Sequence, residues 1–169
     1  MAVVTTKSTR ISNAEAATQT SDSVVLNHGR KRSVVSTIEA ANGDSIGSKY
    51  VMCRVHSAWR LTSIKVFCDA ITSGAGDIGL YQCSANPNNG GAVVVAALYA
   101  SAQSIASASV TGIECAYEQK DIANCQRQVW QDAGASADTN RWYDLVMTLT
   151  AATTAAGTLT FEVEYIAND

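Results

Sequence analysis

Near its end the chain reads "TLTFEVEYI", in which Leu159, Phe161, Val163 and Tyr165 alternate with Thr158, Thr160, Glu162 and Glu164. Alternation with a period of two fits a strand with one buried and one wet face, and a helix with its 3.6-residue repeat cannot satisfy it. Such a strand cannot bury its apolar side alone, so the rest of the chain has to supply partners. The preceding "WYDLVMTLTA" puts Tyr143, Leu145, Met147 and Leu149 on one face, and the connection "ATTAAG" predicts an antiparallel hairpin between the two. Three further runs are rich in β-branched and aromatic residues and read as strands too, "SVVSTIEA" from Ser33, "KYVMCRV" from Lys49 and "WRLTSIKVFCDAI" from Trp59. Turn residues such as "ANGD" and "TSGAGD" bound them.

One stretch breaks the pattern. Over about 119–133, Ile122, Cys125 and Val129 recur at spacings of three and four, with acidic residues near the start and Gly134 at the end, which predicts one short helix. The small residues of "ASAQSIASA" leave a second helical turn open. From 1 to 32 the sequence is Thr, Ser, Ala, Asn and Gln with scattered charges and no sustained apolar period, which predicts an extended polar N-terminal arm. Many short strands with a lone helix do not alternate as βαβ units. The expected class is therefore all-β: an antiparallel β-sandwich, jelly-roll-like, over 33–169, preceded by the arm.

Within "CDAITSGAGDIGLYQ", Gly74, Gly76 and Gly79 spell G-x-G-x-x-G directly after the β-branched run "SIKVF". A dinucleotide fingerprint needs its last glycine to open a helix and an acidic residue about 20 positions on for the ribose. Here "LYQCS" follows as strand, "ALYASA" holds no carboxylate, and the next acidic residue after Asp77 is Glu114. The lysine strand, catalytic loop and metal-binding aspartate of a kinase are also missing, as is a phosphate loop ending in Lys and Ser or Thr. The glycines read instead as a tight turn between antiparallel strands, with glycine supplying positive φ, and Gly79 as a bulge or close backbone approach.

Other candidate sites are no stronger. Cys53 and His56 are three apart in a strand, hence on opposite faces, and only His28 joins His56 in the chain, so neither a catalytic Cys/His pair nor a metal site is expected. Glu162 and Glu164 fall on the wet face, the ordinary place for carboxylates, and nothing supports a glycosidase pair. Trp59, Trp130 and Trp142 are expected as core or interface anchors more than as a sugar platform. "RKR" at Arg30, Lys31 and Arg32 is a weak nucleic-acid footprint in an acidic protein. No catalytic residue, cofactor or metal is expected, and no direct nucleic-acid or membrane partner.

The length, 169 residues, fits one domain with an arm. Charged residues are 16% of the chain against a usual level of about 25%, which suits a surface packed against neighbours. The charge is also unevenly spread: residues 1–65 carry nine Lys/Arg against four Asp/Glu, and 66–169 carry three against eleven. One end of the chain could attract the other end of a neighbour, and a solvated surface would show the same split. Five cysteines without a C-x-x-C fit reduced thiols, mostly buried, in a protein made in a cytoplasm. Neither a signal peptide nor a membrane span is read at the N-terminus or in the longest apolar run, "AVVVAALYA".

The ordered segments "ANGDSIGSKY", "SAWRLTSIKVFCDAITSGAGDIGLY", "ALYASAQSIASA" and "YDLVMTLTAATTAAGTLTFEVEYI" together resemble the small cement or decoration proteins of tailed-bacteriophage heads. The resemblance runs from about 41 to 166 and brings no catalytic residue with it. It implies a non-enzymatic virion protein, made in the host cytoplasm and carried on the capsid exterior. As a homodimer or homotrimer it would bind the major capsid protein and cement neighbouring capsomers. The arm, with Lys7, Arg10, Arg30, Lys31 and Arg32, would grip those neighbours. The alternative is a head-fibre or tail β-sandwich that binds a host receptor or glycan.

Overall fold

The computed structural model describes residues 6–18, 29–83 and 91–167. A short helix, α1 (Thr9–Ala14), is followed by eight strands: β1 (Arg30–Ala40), β2 (Lys49–His56), β3 (Arg60–Cys68), β4 (Ala75–Gln82), β5 (Val93–Ser104), β6 (Ser109–Glu114), β7 (Trp142–Ala151) and β8 (Gly157–Ala167). They form two four-stranded antiparallel sheets, in the orders β1-β8-β3-β6 and β2-β7-β4-β5. The chain changes sheet at every connection between described strands except β4–β5. Eight strands wound in this way make a jelly roll, the expected class.

The core lies between the sheets. Leu159, Phe161, Val163 and Tyr165 of β8 point inward, as their alternation requires, against Tyr143, Leu145, Met147 and Leu149 of β7. These two strands face each other across the core and are not paired, which corrects the expected hairpin. Alternation reports which side of a strand is buried and is satisfied equally by a neighbour beside it or opposite it. The link between them is tied down instead by buried Thr153, whose hydroxyl donates to the Ala41 carbonyl at 2.7 Å and accepts from the Asp44 N–H at 2.9 Å.

The glycine-rich turn is corrected in the same sense. It carries the chain from β3 in one sheet to β4 in the other, and the residue with positive φ is Ser73, at 66°, not a glycine. Gly79 is the close approach that the sequence predicted. Between Val95 and Ala100 the β5 strand bulges, and a Cβ on Gly79 would stand 2.1 Å from the Val95 carbonyl oxygen.

The helix expected over 119–133 is present only as two separate turns, a 3-10 turn (Ile122–Asn124) and α2 (Val129–Asp132). Asp121 caps the first, its side chain accepting from the Ala123 N–H. Gln128 then adopts an extended conformation, and the N–H groups of Val129 and Trp130 donate to the carbonyls of Trp59 and Ser57, not to a preceding turn. Tertiary partners have taken the hydrogen bonds that a continuous helix would need. "ASAQSIASA" belongs to the end of β5 and the turn after it, not to a helix.

Arg30, Lys31 and Arg32, placed by sequence at the end of the arm, are the first residues of β1, in register with Ala167, Ile166 and Tyr165 of β8. Among the described arm residues, Ser8 caps α1 through its side chain, Lys7 pairs with Glu15, and no residue of the helix is buried. This segment is thus locally helical where an extended arm was expected.

Candidate interaction surface

One end of the sandwich gathers the start of β1, the end of β8, the β2–β3 turn and the start of β7. Residues in register share a face of the sheet, so Arg32 and Tyr165 leave on the core side, while Lys31, Ile166 and Arg60 leave on the outer side. Lys31 pairs with Glu164 at 2.7 Å. The Trp59 N–H donates to the His56 carbonyl and closes the turn from β2 to β3, which lays the Trp59 ring on Tyr165 at 4.0 Å and 10°. Trp142 meets Trp59 edge-on at 5.1 Å, and His56, its partner in the β2–β7 register, at 5.0 Å. Trp142 remains 48% exposed.

Sequence reasoning singled out Trp59, Trp130 and Trp142 without a reason to group them. The structure brings Trp59 and Trp142 together with His56 and Tyr165, while the Trp130 indole donates to the Gln128 side chain at 3.0 Å. The signal was present only through the β2–β7 pairing, which sets His56 opposite Trp142. The rings lie at steep mutual angles apart from the Trp59–Tyr165 stack, so they pack on one another and form no flat sugar platform.

The β2–β3 turn is locked from the other side by Asp138. Its carboxylate accepts from the buried Ser57 hydroxyl at 2.5 Å and from the Asn140 N–H at 2.9 Å. The Ser57 bond is the main reason that its pKa lies below the usual aspartate value. A depressed folded-state pKa adds stability above the unfolded value and loses it as pH falls through the folded one. Asp138→Asn should therefore flatten the stability-versus-pH curve on the acid side of about pH 4, as read by urea midpoints at several pH values.

Burial pushes the Cys53 and Cys115 thiols up to about 12. Cys83, beside Asp144 at 3.3 Å, is pushed up to about 11, mainly by burial. Such thiols stay protonated and are poor nucleophiles at neutral pH. All five cysteines are free; Cys68 and Cys115 are buried and the other three partly so. Among the described residues no cluster of three His, Cys, Asp or Glu could hold a metal, and no helix is long and apolar enough to cross a membrane. His28 lies outside the described residues.

Nothing in the sequence pointed to a buried ion pair between Lys120 and Asp132, at 2.7 Å, with the Tyr99 hydroxyl donating to the same carboxylate oxygen at 3.2 Å. Burial raises the Asp132 pKa against the opposing pull of both donors. Every polar atom of this triad is satisfied, and it pins the 115–141 loop to β5.

Comparison with known proteins adds one likeness. A chain in the capsid asymmetric unit of cyanophage Pam1 superposes with a TM-score of 0.52 at 12% identity, over 92% of this chain and 96% of that one. Both share one fold. No family model matches the sequence, and no curated protein does.

Proposed function

We propose that this chain is a virion structural protein that binds the outer surface of a phage head and cements neighbouring major capsid subunits, acting as a small homo-oligomer. The observation that carries the reading is the likeness in fold, over 92% of this chain and 96% of the other, to a chain of a phage capsid asymmetric unit. The sparse charge of the whole chain supports it. The half-exposed Trp142, packed on Trp59 and His56, is the type of anchor that dominates protein interfaces. The arm enters β1 at this same end, so Lys7, Arg10, Arg30, Lys31 and Arg32 and the aromatic cluster would address one neighbour together. Many equivalent weak contacts on a symmetric shell add up through multivalency.

The test is co-sedimentation with phage heads that lack the protein, counting copies per head. Saturation at a fixed multiple of the lattice positions is expected, with heads then more resistant to heat. Because Arg30 to Arg32 are paired in β1, the arm deletion should remove residues 1–28 and leave the sandwich intact. That truncated protein is expected to stay folded and to lose head binding. Undiminished binding by the truncated protein would remove the arm from the mechanism. Failure of the full chain to co-sediment would overturn the capsid role and turn attention to the fibre or tail alternative, with Trp142 as the first residue to test against glycans.

A further inference from the structure

Each sheet has two outer strands, β1 and β6 in one and β2 and β5 in the other, and an outer strand turns half of its backbone groups away from the sheet. Three of these edges are broken by shifts of register: β2 between Val51 and Cys53, β5 along its bulge, and β6 where its pairing with β3 slips between Val66 and Cys68, near Gly112 with its φ of 78°. β1 differs. All eleven of its residues pair with β8 without a shift. Over 33–38, "SVVSTI", it has none of the lysines, prolines, bulges or inward charges that ordinarily guard an edge. Among the described residues no backbone bond reaches the outward side of this stretch, and Val35 in its middle is 61% exposed.

We propose that the edge of β1 takes β1 of a second copy of this chain as an added strand, antiparallel across a two-fold axis, so that two four-stranded sheets join into one of eight. The occupant follows from the sequence of the strand itself. In such a pair directly opposite residues share a face of the sheet. Full overlap of Arg30–Ala40 with its copy sets Val35 against the partner's Val35 on the axis, Ser33 against the partner's Thr37, and Lys31 against the partner's Glu39, all of them exposed residues of the outer face. Apolar meets apolar, hydroxyl meets hydroxyl and cation meets anion, the kinds of cross-strand pair that stabilise a sheet. Lys31 keeps Glu164 at 2.7 Å as well, since an ammonium has three donors. On the core face Arg30 and Arg32 fall opposite the partner's Ala40 and Ile38, so no cation meets another. The two Lys31 side chains start eight positions apart along the pair, about 27 Å, well beyond the screening length at physiological salt. Val34 and Ile38, only partly buried at the open edge, gain cover. A foreign strand would have to reproduce this pattern in reverse, and β1 carries it already.

This deepens the capsid reading and rests on it for the small homo-oligomer, which is measured in solution, apart from any head. Sedimentation velocity of the full chain should give a dimer mass. Val35→Lys sets like charges on the axis, while Glu162, opposite it in β8, supports the new side chain within each copy; the dimer dissociation constant should rise roughly 10-fold or more. Lys31→Glu and Glu39→Lys should each weaken the dimer about 10-fold. An equimolar mixture of those two variants should recover the affinity of the parent, because each carries the charges that the other needs. Val110→Asp, on β6 and 88% exposed, should leave the dimer unchanged. Far-UV circular dichroism of each variant should match the parent. A monomer, a trimer mass, a dimer indifferent to Val35→Lys, or a mixture no tighter than its two components would overturn the proposal, while head co-sedimentation would still report separately on the capsid role.

Discussion

Replacing Asp132 with alanine should lower the unfolding free energy by about 3–5 kcal/mol, because it strands a buried ammonium. Lys120 and Asp132 have side chains only 4% and 2% exposed, and each relies on the other for its charge. Tyr99 completes the carboxylate and is itself wholly buried. The same group of side chains holds the 115–141 loop over the bulged middle of β5, so its loss should also loosen that loop. Urea denaturation measures the first effect, and hydrogen exchange at the Gln119 amide, bonded to the Tyr99 carbonyl, measures the second. Replacing the whole group with apolar residues, Lys120→Met and Asp132→Leu with Tyr99→Phe so that no buried hydroxyl is left without an acceptor, should recover most of the loss, since a buried pair stabilises little beyond the apolar packing it displaces. A single variant as stable as the parent would mean that water reaches the site.

That ion pair also shows why part of the fold was not legible. In one continuous helix, residues twelve apart stand about 18 Å apart along the axis, so the sequence offered no ground for joining Lys120 to Asp132. The helical period at Ile122, Cys125 and Val129 was genuine, but Ile122 is 84% exposed and Val129 fully buried, so the three do not form one buried stripe. What broke the helix was remote: the Trp59 and Ser57 carbonyls, supplied by a turn some seventy positions earlier in the chain.

The strands were legible because each carries its own record of burial. β8 reads correctly from Thr158 to Tyr165, and β7, β2 and β3 start within a residue or two of their expected positions. Which strand pairs with which is a property of two distant segments and leaves no local mark. Hence β7 and β8 looked like a hairpin although they lie in different sheets. The aromatic cluster was hidden for the same reason, since His56 and Trp142 meet only through the β2–β7 register.

Gly79→Ala should cost at least about 3 kcal/mol, at or beyond the upper end of ordinary overpacking. Its added Cβ would lie 2.1 Å from the Val95 oxygen and 2.2 Å from the Ala96 oxygen, and both are backbone atoms of the bulge, which no rotamer change can move aside. Gly74→Ala meets only the ends of the Ile105 side chain at 2.8 and 3.0 Å and, at the same range, the Ile71 carbonyl, so it should cost less. Gly134→Ala, with φ at 75° and nothing within 4 Å, should carry backbone strain alone, about 1–2 kcal/mol. Thermal unfolding resolves this order, at roughly 2–4 °C per kcal/mol for a domain of this size. The ranking decides what Gly74 and Gly79 of the glycine-rich turn are for. A phosphate-binding loop needs glycine where a ligand comes close, so its substitution would remove ligand binding and leave the empty protein stable. Here the approaching atoms belong to the chain's own β5, and the loss should appear in the melting temperature with no nucleotide present.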